Sequence, residues 1–168
     1  MMSRLVVAVS ICALFVPLAA AGTVAEAHIK SGRWHGVKWE LRGGAWRDGS
    51  YCVAILIRDR ENSRGCGNLR QQDGIGYGAG SAGSDRRLPN YVMGAVLPKA
   101  RSVRVEFFDR PPLRLDTIPA PPTLEGGMRF FVTVLPCPAN PKKLIARDAA
   151  GRIVASYVRR NRGPKWPC

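Results

Sequence analysis

The residues with the best claim to chemistry are two histidines, five cysteines, one glycine-rich run and an excess of arginine. His35, with Glu40 or another carboxylate, is the candidate base for acid–base hydrolysis, and a small basic nuclease is the activity such a pair would suit. That chemistry needs a base, an acid and cations beside the scissile phosphate. Arginines are plentiful, but His28 precedes the first strand and nothing in the spacing supplies a second acid, so no catalytic residue is assigned. Gly78, Gly80 and Gly83 match the dinucleotide-binding spacing. That spacing works only between a strand and a helix, and Pro89 stops a helix early, so no cofactor is expected. Ser81 in the same run lacks the surrounding pattern of a nucleophile elbow. Neither Cys-x-x-Cys nor His-x-x-x-His spacing occurs, which argues against a metal site. The remaining candidate is anion binding. Arg159, Arg160, Arg162 and Lys165 cluster near the C-terminus, Arg58, Arg60, Arg64 and Arg70 surround a cysteine pair, and Arg86 and Arg87 follow the glycine run. Guanidinium forks suit phosphate and carboxylate.

The N-terminal sequence predicts that these residues lie outside the cytoplasm. Arg4 precedes an apolar run from Leu5 to Val16, then Pro17 and the small residues Ala19, Ala20 and Ala21. This is the pattern of a secretory signal peptide over 1–21, with a second small-residue exit after Ala27. The run is short for a membrane span, and the alternative is an uncleaved N-terminal anchor. No later segment is apolar enough to cross a membrane. The whole chain has 26 Lys and Arg against 12 Asp and Glu, and removal of 1–21 takes away only Arg4. A field of that sign draws anionic partners, though charge alone speaks to non-specific binding.

Cleavage would also remove Cys12. Cys52, Cys66, Cys137 and Cys168 remain, an even number suited to two disulfides in an oxidising compartment. Of the three possible pairings, Cys52–Cys66 with Cys137–Cys168 is favoured: one staple closes a strand–loop segment and the other pins the C-terminus.

The elements that must position these groups read as strands. Residues 22–36 are expected to form a loose arm. Val37 to Leu41 begins the sheet, and Tyr51 to Ile57 (YCVAILI) is apolar on both faces, as in a doubly covered central strand. The segment from Asn68 to Leu88, rich in glycine and serine, reads as a loop. Tyr91 to Leu97, Ser102 to Phe108 and Arg129 to Leu135 follow as strands. In the second of these, Val103, Val105 and Phe107 face one way while Arg104 and Glu106 face the other. Leu113 to Ile118 reads as an edge strand and Pro119 to Pro122 as an extended connector. Leu144–Arg147 and Arg152–Val158 form a hairpin closed by Gly151. Seven or eight short strands and no amphipathic helix predict an all-β, antiparallel β-sandwich over 37–158, with a β-barrel as the alternative and a basic tail over 159–168. Val53, Ile55, Ile57, Val103, Val105, Phe130, Val132 and Val134 should supply the core.

Several stretches together resemble a group of uncharacterised extracytoplasmic domains of high-GC bacteria. They are Trp39–Leu41, Tyr51–Ile55 with Gly65-Cys66-Gly67, Met93–Pro98 running into Ala100–Val105, Arg129–Pro136 and Ala146–Arg152. The resemblance spans roughly Val37 to Val158 and rests on structural motifs. It implies the sandwich and the Cys52–Cys66 bond, and transfers no catalytic residue. The reading is therefore a secreted, non-enzymatic protein that binds or supports the cell envelope. Its expected partner is an anionic polymer or an envelope protein, with no specific nucleic acid. An exported hydrolase and a regulatory sensor domain are the alternatives.

Overall fold

The computed structural model describes residues 26–83, 85 and 87–161. The expected signal segment and most of the basic tail lie outside these residues. Among the described residues there is no helix. Twelve strands form three antiparallel four-stranded sheets, none closed into a barrel. The all-β, antiparallel expectation holds. The strand count exceeds the expected seven or eight because residues 27–34, 60–68 and 75–81 also pair, and because the single edge strand expected over Leu113–Ile118 is split between Leu113–Asp116 in one sheet and Ile118–Pro119 in another.

Sheet A is a meander of β1 (Ala27–Trp34), β2 (Val37–Ala45), β3 (Ser50–Ile57) and β4 (Arg60–Asn68). Two of its turns need only two residues. His35 (φ 44°) and Gly36 (φ 81°) join β1 to β2, and Arg58 (φ 53°) with Asp59 (φ 63°) joins β3 to β4. Left-handed backbone at both central positions matches the twist of paired strands. The expected loose arm is therefore corrected over 27–34, where β1 pairs along β2 from Ala27↔Gly43 to Trp34↔Val37.

Sheet B has the order β5 (Ile75–Ser81), β6 (Asn90–Val96), β10 (Arg129–Leu135), β9 (Ile118–Pro119). Sheet C has the order β12 (Ile153–Val158), β11 (Pro141–Arg147), β7 (Ser102–Phe107), β8 (Leu113–Asp116). The chain lays down successive strand pairs alternately: β5–β6 in B, β7–β8 in C, β9–β10 in B, β11–β12 in C.

Sheet B is the middle layer. Along β6, Tyr91, Met93 and Ala95 point into one core with Leu41, Val53 and Ile55 of sheet A. Val92 and Val96 point into a second core with Val103, Val105, Leu144 and Ala146 of sheet C. Along β10, Phe130 and Val132 join the first core while Phe131 and Leu135 join the second. Every residue of β6 is buried, so it, rather than β3, is the strand covered fully on both sides. The predicted core residues are all buried except Val134, which packs at the margin of the first core.

The glycine-rich segment is a further correction. Residues 75–81 are not loop but strand β5, paired with β6 from Ile75↔Val96 to Ser81↔Asn90. Its glycines make room for rings. A Cβ at Gly76 would lie 1.8 Å from the Tyr51 hydroxyl, and one at Gly80 would lie 2.6 Å from the Tyr91 hydroxyl. Those hydroxyls end on polar partners: Tyr51 donates to Gln72 Oε1 (2.9 Å) and Tyr91 accepts from Asn62 Nδ2 (2.8 Å). No helix follows β5, so the glycine spacing has no nucleotide-binding context. Pro119, expected in a connector, instead pairs with Arg129 at the sheet edge.

Cys52 and Cys66 lie directly opposite each other on β3 and β4 and form the predicted disulfide, with Cα atoms 4.1 Å apart. The bond joins two adjacent strands, because residues 60–68 pair where a strand–loop segment was expected. Cys137 is also disulfide-bonded. Cys168, its expected partner, lies outside the described residues.

Candidate anion-binding face

Two sheet faces look outward, one on sheet A and one on sheet C, and they treat charge differently. On sheet A three cations, Lys38, Arg42 and Arg64, hold a carboxylate, while Lys30, Arg33 and Arg60 have none within ion-pair distance among the described residues. Lys38 Nζ lies 2.7 Å from Asp59, Arg42 Nε lies 2.8 Å from Glu40, and Arg64 is gripped by Glu26 and Glu61. Lys38 is held above its ordinary pKa by the hydrogen bond and charge of Asp59. These side chains lie over Ala54 and Leu56 of β3, whose register partners are Arg42 and Arg64, and Glu40 and Glu61. The charged shell thus explains how an apolar β3 tolerates an outward face.

On sheet C the period-two pattern of SVRVEF and LRLD sends valine and leucine inward and charge outward. Register sets Arg104 of β7 directly opposite Arg114 of β8, and Arg147 of β11 opposite Ser102. Arg104, Arg114, Arg147, Glu106, Ser102 and Ile145 line a groove of about 360 Å³. Its floor is well shielded: Ser102 is 4% exposed and Ile145 6%. Glu106 accepts from Arg104 Nε at 3.3 Å, and Arg147 Nη1 donates to the Gly151 carbonyl at 2.6 Å. Arg114 has no carboxylate within ion-pair distance among the described residues. Like charges directly opposite across a ladder are destabilising, so this pairing works against the fold. Guanidinium forks at this spacing offer paired N–H donors to a phosphate, sulfate or carboxylate.

Of the cations singled out in the sequence, Arg64, Arg70, Arg87 and Arg159 are engaged elsewhere, while Arg58 and Arg60 lie exposed at the β3–β4 turn. Arg159 is half-buried, with Nη1 donating to Asn140 Oδ1 at 3.1 Å and its backbone N–H to the Lys142 carbonyl at 2.9 Å. It braces the end of β12. Arg160 is exposed, and Arg162 and Lys165 lie outside the described residues. Arg70 reaches the Arg47 carbonyl, and Arg87 is taken up by Asp85. The hydrogen bonds from the Arg87 backbone and side chain hold the Asp85 carboxyl below its ordinary pKa. Arg86 lies outside the described residues. The groove arginines were missed because they are scattered in sequence at 104, 114 and 147; only the β7–β8 and β7–β11 registers bring them together.

The structure does not unite the hydrolytic candidates. His35 sits in the β1–β2 turn, edge-on to the Trp34 ring at 4.9 Å. His28 lies toward the far end of β1, opposite Arg42, roughly 20 Å away at strand rise. Glu40 is occupied by Arg42. Among the described residues no three His, Cys, Asp or Glu side chains converge as a metal site, and no helix is long and apolar enough to cross a membrane.

A scan of protein-family models, of curated proteins and of solved structures finds no match to this chain.

Proposed function

We propose that the protein is an extracytoplasmic binding protein that holds an anionic polymer of the cell envelope against the outer face of sheet C. The observation that carries this reading is the Arg104–Arg114 pair, face to face beside Arg147 in one groove. A polyanion laid across β8, β7 and β11 supplies the counter-charge that the fold leaves out. The disulfides and the resemblance to extracytoplasmic domains support the compartment.

Retention on immobilised polyphosphate as a function of salt tests the reading. The logarithm of affinity should fall linearly with the logarithm of salt concentration. Arg104→Gln and Arg114→Gln should each weaken binding and lower that slope by about 1, whereas Arg60→Gln, on the edge of sheet A, should leave the groove's share intact. Equal losses from all three variants would reduce the effect to net charge and remove the groove from the account.

A further inference from the structure

Thr117 makes the crossover from β8 of sheet C to β9 of sheet B. It is 7% exposed, and each of its polar groups is spent. Its N–H donates to the Arg101 carbonyl at 3.0 Å, and its hydroxyl donates to the Ala100 carbonyl at 2.8 Å. The hydroxyl oxygen also accepts from Arg129 Nε at 2.6 Å, and the Thr117 carbonyl accepts from Arg129 Nη2 at 2.8 Å. A guanidinium has five N–H donors. Two of them fix Arg129 against the chain, and the rest are left to meet something else.

Alternation places a second arginine beside it. Ser102 lines the outer groove, and Val103 points into the core between sheets B and C. Arg101 continues the ladder, with its N–H donating to the Arg147 carbonyl at 2.7 Å, so its side chain points inward like that of Val103. On β10, Phe130 fills the first core and Phe131 the second, so Arg129 shares the side of Phe131. Arg101 and Arg129 therefore meet at the mouth between sheets B and C, on the side of sheet C away from the groove. Arg101 is exposed and Arg129 half-buried, which leaves the mouth open to solvent. Burial, then the charge of Arg101, pushes the Arg129 guanidinium below its ordinary pKa, with no carboxylate to oppose them. The acids beside Thr117 and Arg147 in the chain are turned away or taken. Asp116 stands opposite Ser102 on the outer face, and Asp148 holds Arg152 at 2.8 Å. A partly desolvated cation with a like charge beside it and no counter-ion works against the fold.

We infer that this mouth is a second anion site, which takes a doubly charged phosphate group between the Arg101 and Arg129 guanidiniums. A phosphate monoester carries about two negative charges at neutral pH and so answers both cations at once. Its oxygens accept the paired N–H donors that guanidinium forks present. A phosphodiester has one charge and leaves one arginine unanswered. The site shares no side chain with the groove of Arg104, Arg114 and Arg147, and it stands whether or not that groove holds a polymer.

Nuclear magnetic resonance titration of the isotope-labelled protein with inorganic phosphate, methyl phosphate and dimethyl phosphate, at constant ionic strength, tests the inference. Inorganic phosphate should saturably shift the backbone N–H signals of Arg101 and Thr117 and the Nε–H signal of Arg129. Dimethyl phosphate should bind about tenfold or more weakly. Methyl phosphate binding as tightly as the free ion supports the site and places its ligand on the end of a larger molecule. Binding of the free ion alone also supports the site and makes inorganic phosphate the ligand. Arg101→Gln keeps the bonds of Arg129 to Thr117 and should weaken binding about tenfold. Arg129→Lys keeps the charge but loses the fork; it should do the same, with a thermal melt reporting on its fold. Arg60→Gln, on the edge of sheet A, should have no effect. The absence of a saturable shift at Arg101, Thr117 and Arg129 overturns the inference, whether or not Arg104 and Arg114 in the groove respond. So does dimethyl phosphate binding as tightly as methyl phosphate, or an affinity that survives Arg101→Gln.

Discussion

Single residues carry much of this fold through the pairing of glycine with an aromatic ring. Gly32 faces Trp39, Gly80 faces Tyr91 and Gly94 faces Phe131, each pair directly opposite across a ladder. A Cβ at Gly94 would stand 2.1 Å from the Gly76 carbonyl oxygen and 2.5 Å from the Phe131 ring. Gly94→Ala should therefore cost about 3 kcal/mol through overpacking of a rigid middle sheet, a drop of roughly 10 °C in melting temperature. Gly65→Ala, with nothing within 4 Å, should be close to neutral in the same melt. The tyrosines beside these glycines report in another way. Burial raises the Tyr51 hydroxyl above its ordinary value of 10.0, offset in part by the hydrogen bond to Gln72. Burial, then the neighbouring Tyr157, raises Tyr77 in the same direction. A raised folded-state value means stability fully present below pH 10.0 and lost as pH climbs through the higher folded value. Melting temperature should fall steeply above that pH, and Tyr51→Phe should flatten the fall. An alkaline limb unchanged by the substitution would show that Tyr51 does not set it.

At the scale of the element, legibility followed apolar periodicity. Strands β3, β6, β7 and β10 announce themselves through runs of valine, isoleucine and phenylalanine, and their cores were readable. β4 was not, because it is a polar edge whose partner is fixed by the Arg58-Asp59 turn and by Cys66. β1 was not, because it is a largely polar edge in which Ile29 is the one buried residue, so no apolar alternation marks it. β5 did carry a signal: in IGYGAGS glycine recurs at strand period, with the other residues on the opposite face. Composition hid it, since so much glycine suggests a loop. The binding groove was the least legible feature. The outward placement of Arg104 follows from alternation alone, but its meeting with Arg114 and Arg147 depends on register across three strands. The same register makes a stability prediction opposite in sign to the binding one. Arg114→Gln should raise stability by about 0.5 kcal/mol by relieving the like-charge pair, while it weakens retention on polyphosphate. Denaturant titration measures the first effect, and a loss of stability would mean that Arg114 is satisfied by contacts other than charge.

The whole molecule is a stack of three sheets in which the two cores share one wall. The Cys52–Cys66 bond sits in the outer layer, away from the interleaved B and C sheets, and closes a segment of 14 residues. Replacing both cysteines with alanine should cost about 3 kcal/mol by the chain-entropy estimate, seen as a lower denaturant midpoint with the fold retained. The order in which the layers become available has its own consequence. Sheet A is one uninterrupted stretch, 27–68, and can be complete while the chain is still being made. Its apolar face, with Leu41, Val53 and Ile55, then has nothing to rest on until Tyr91, Met93, Phe130 and Val132 arrive. Both cores wait for the same late strand, β10, whose Phe130 and Phe131 fill opposite sides. A chain made only as far as residue 128 therefore holds a disulfide-ready sheet whose core still lacks Phe130 and Val132; β10 then fills the first interior, while the second goes on waiting for Leu144, Ala146 and Ala155.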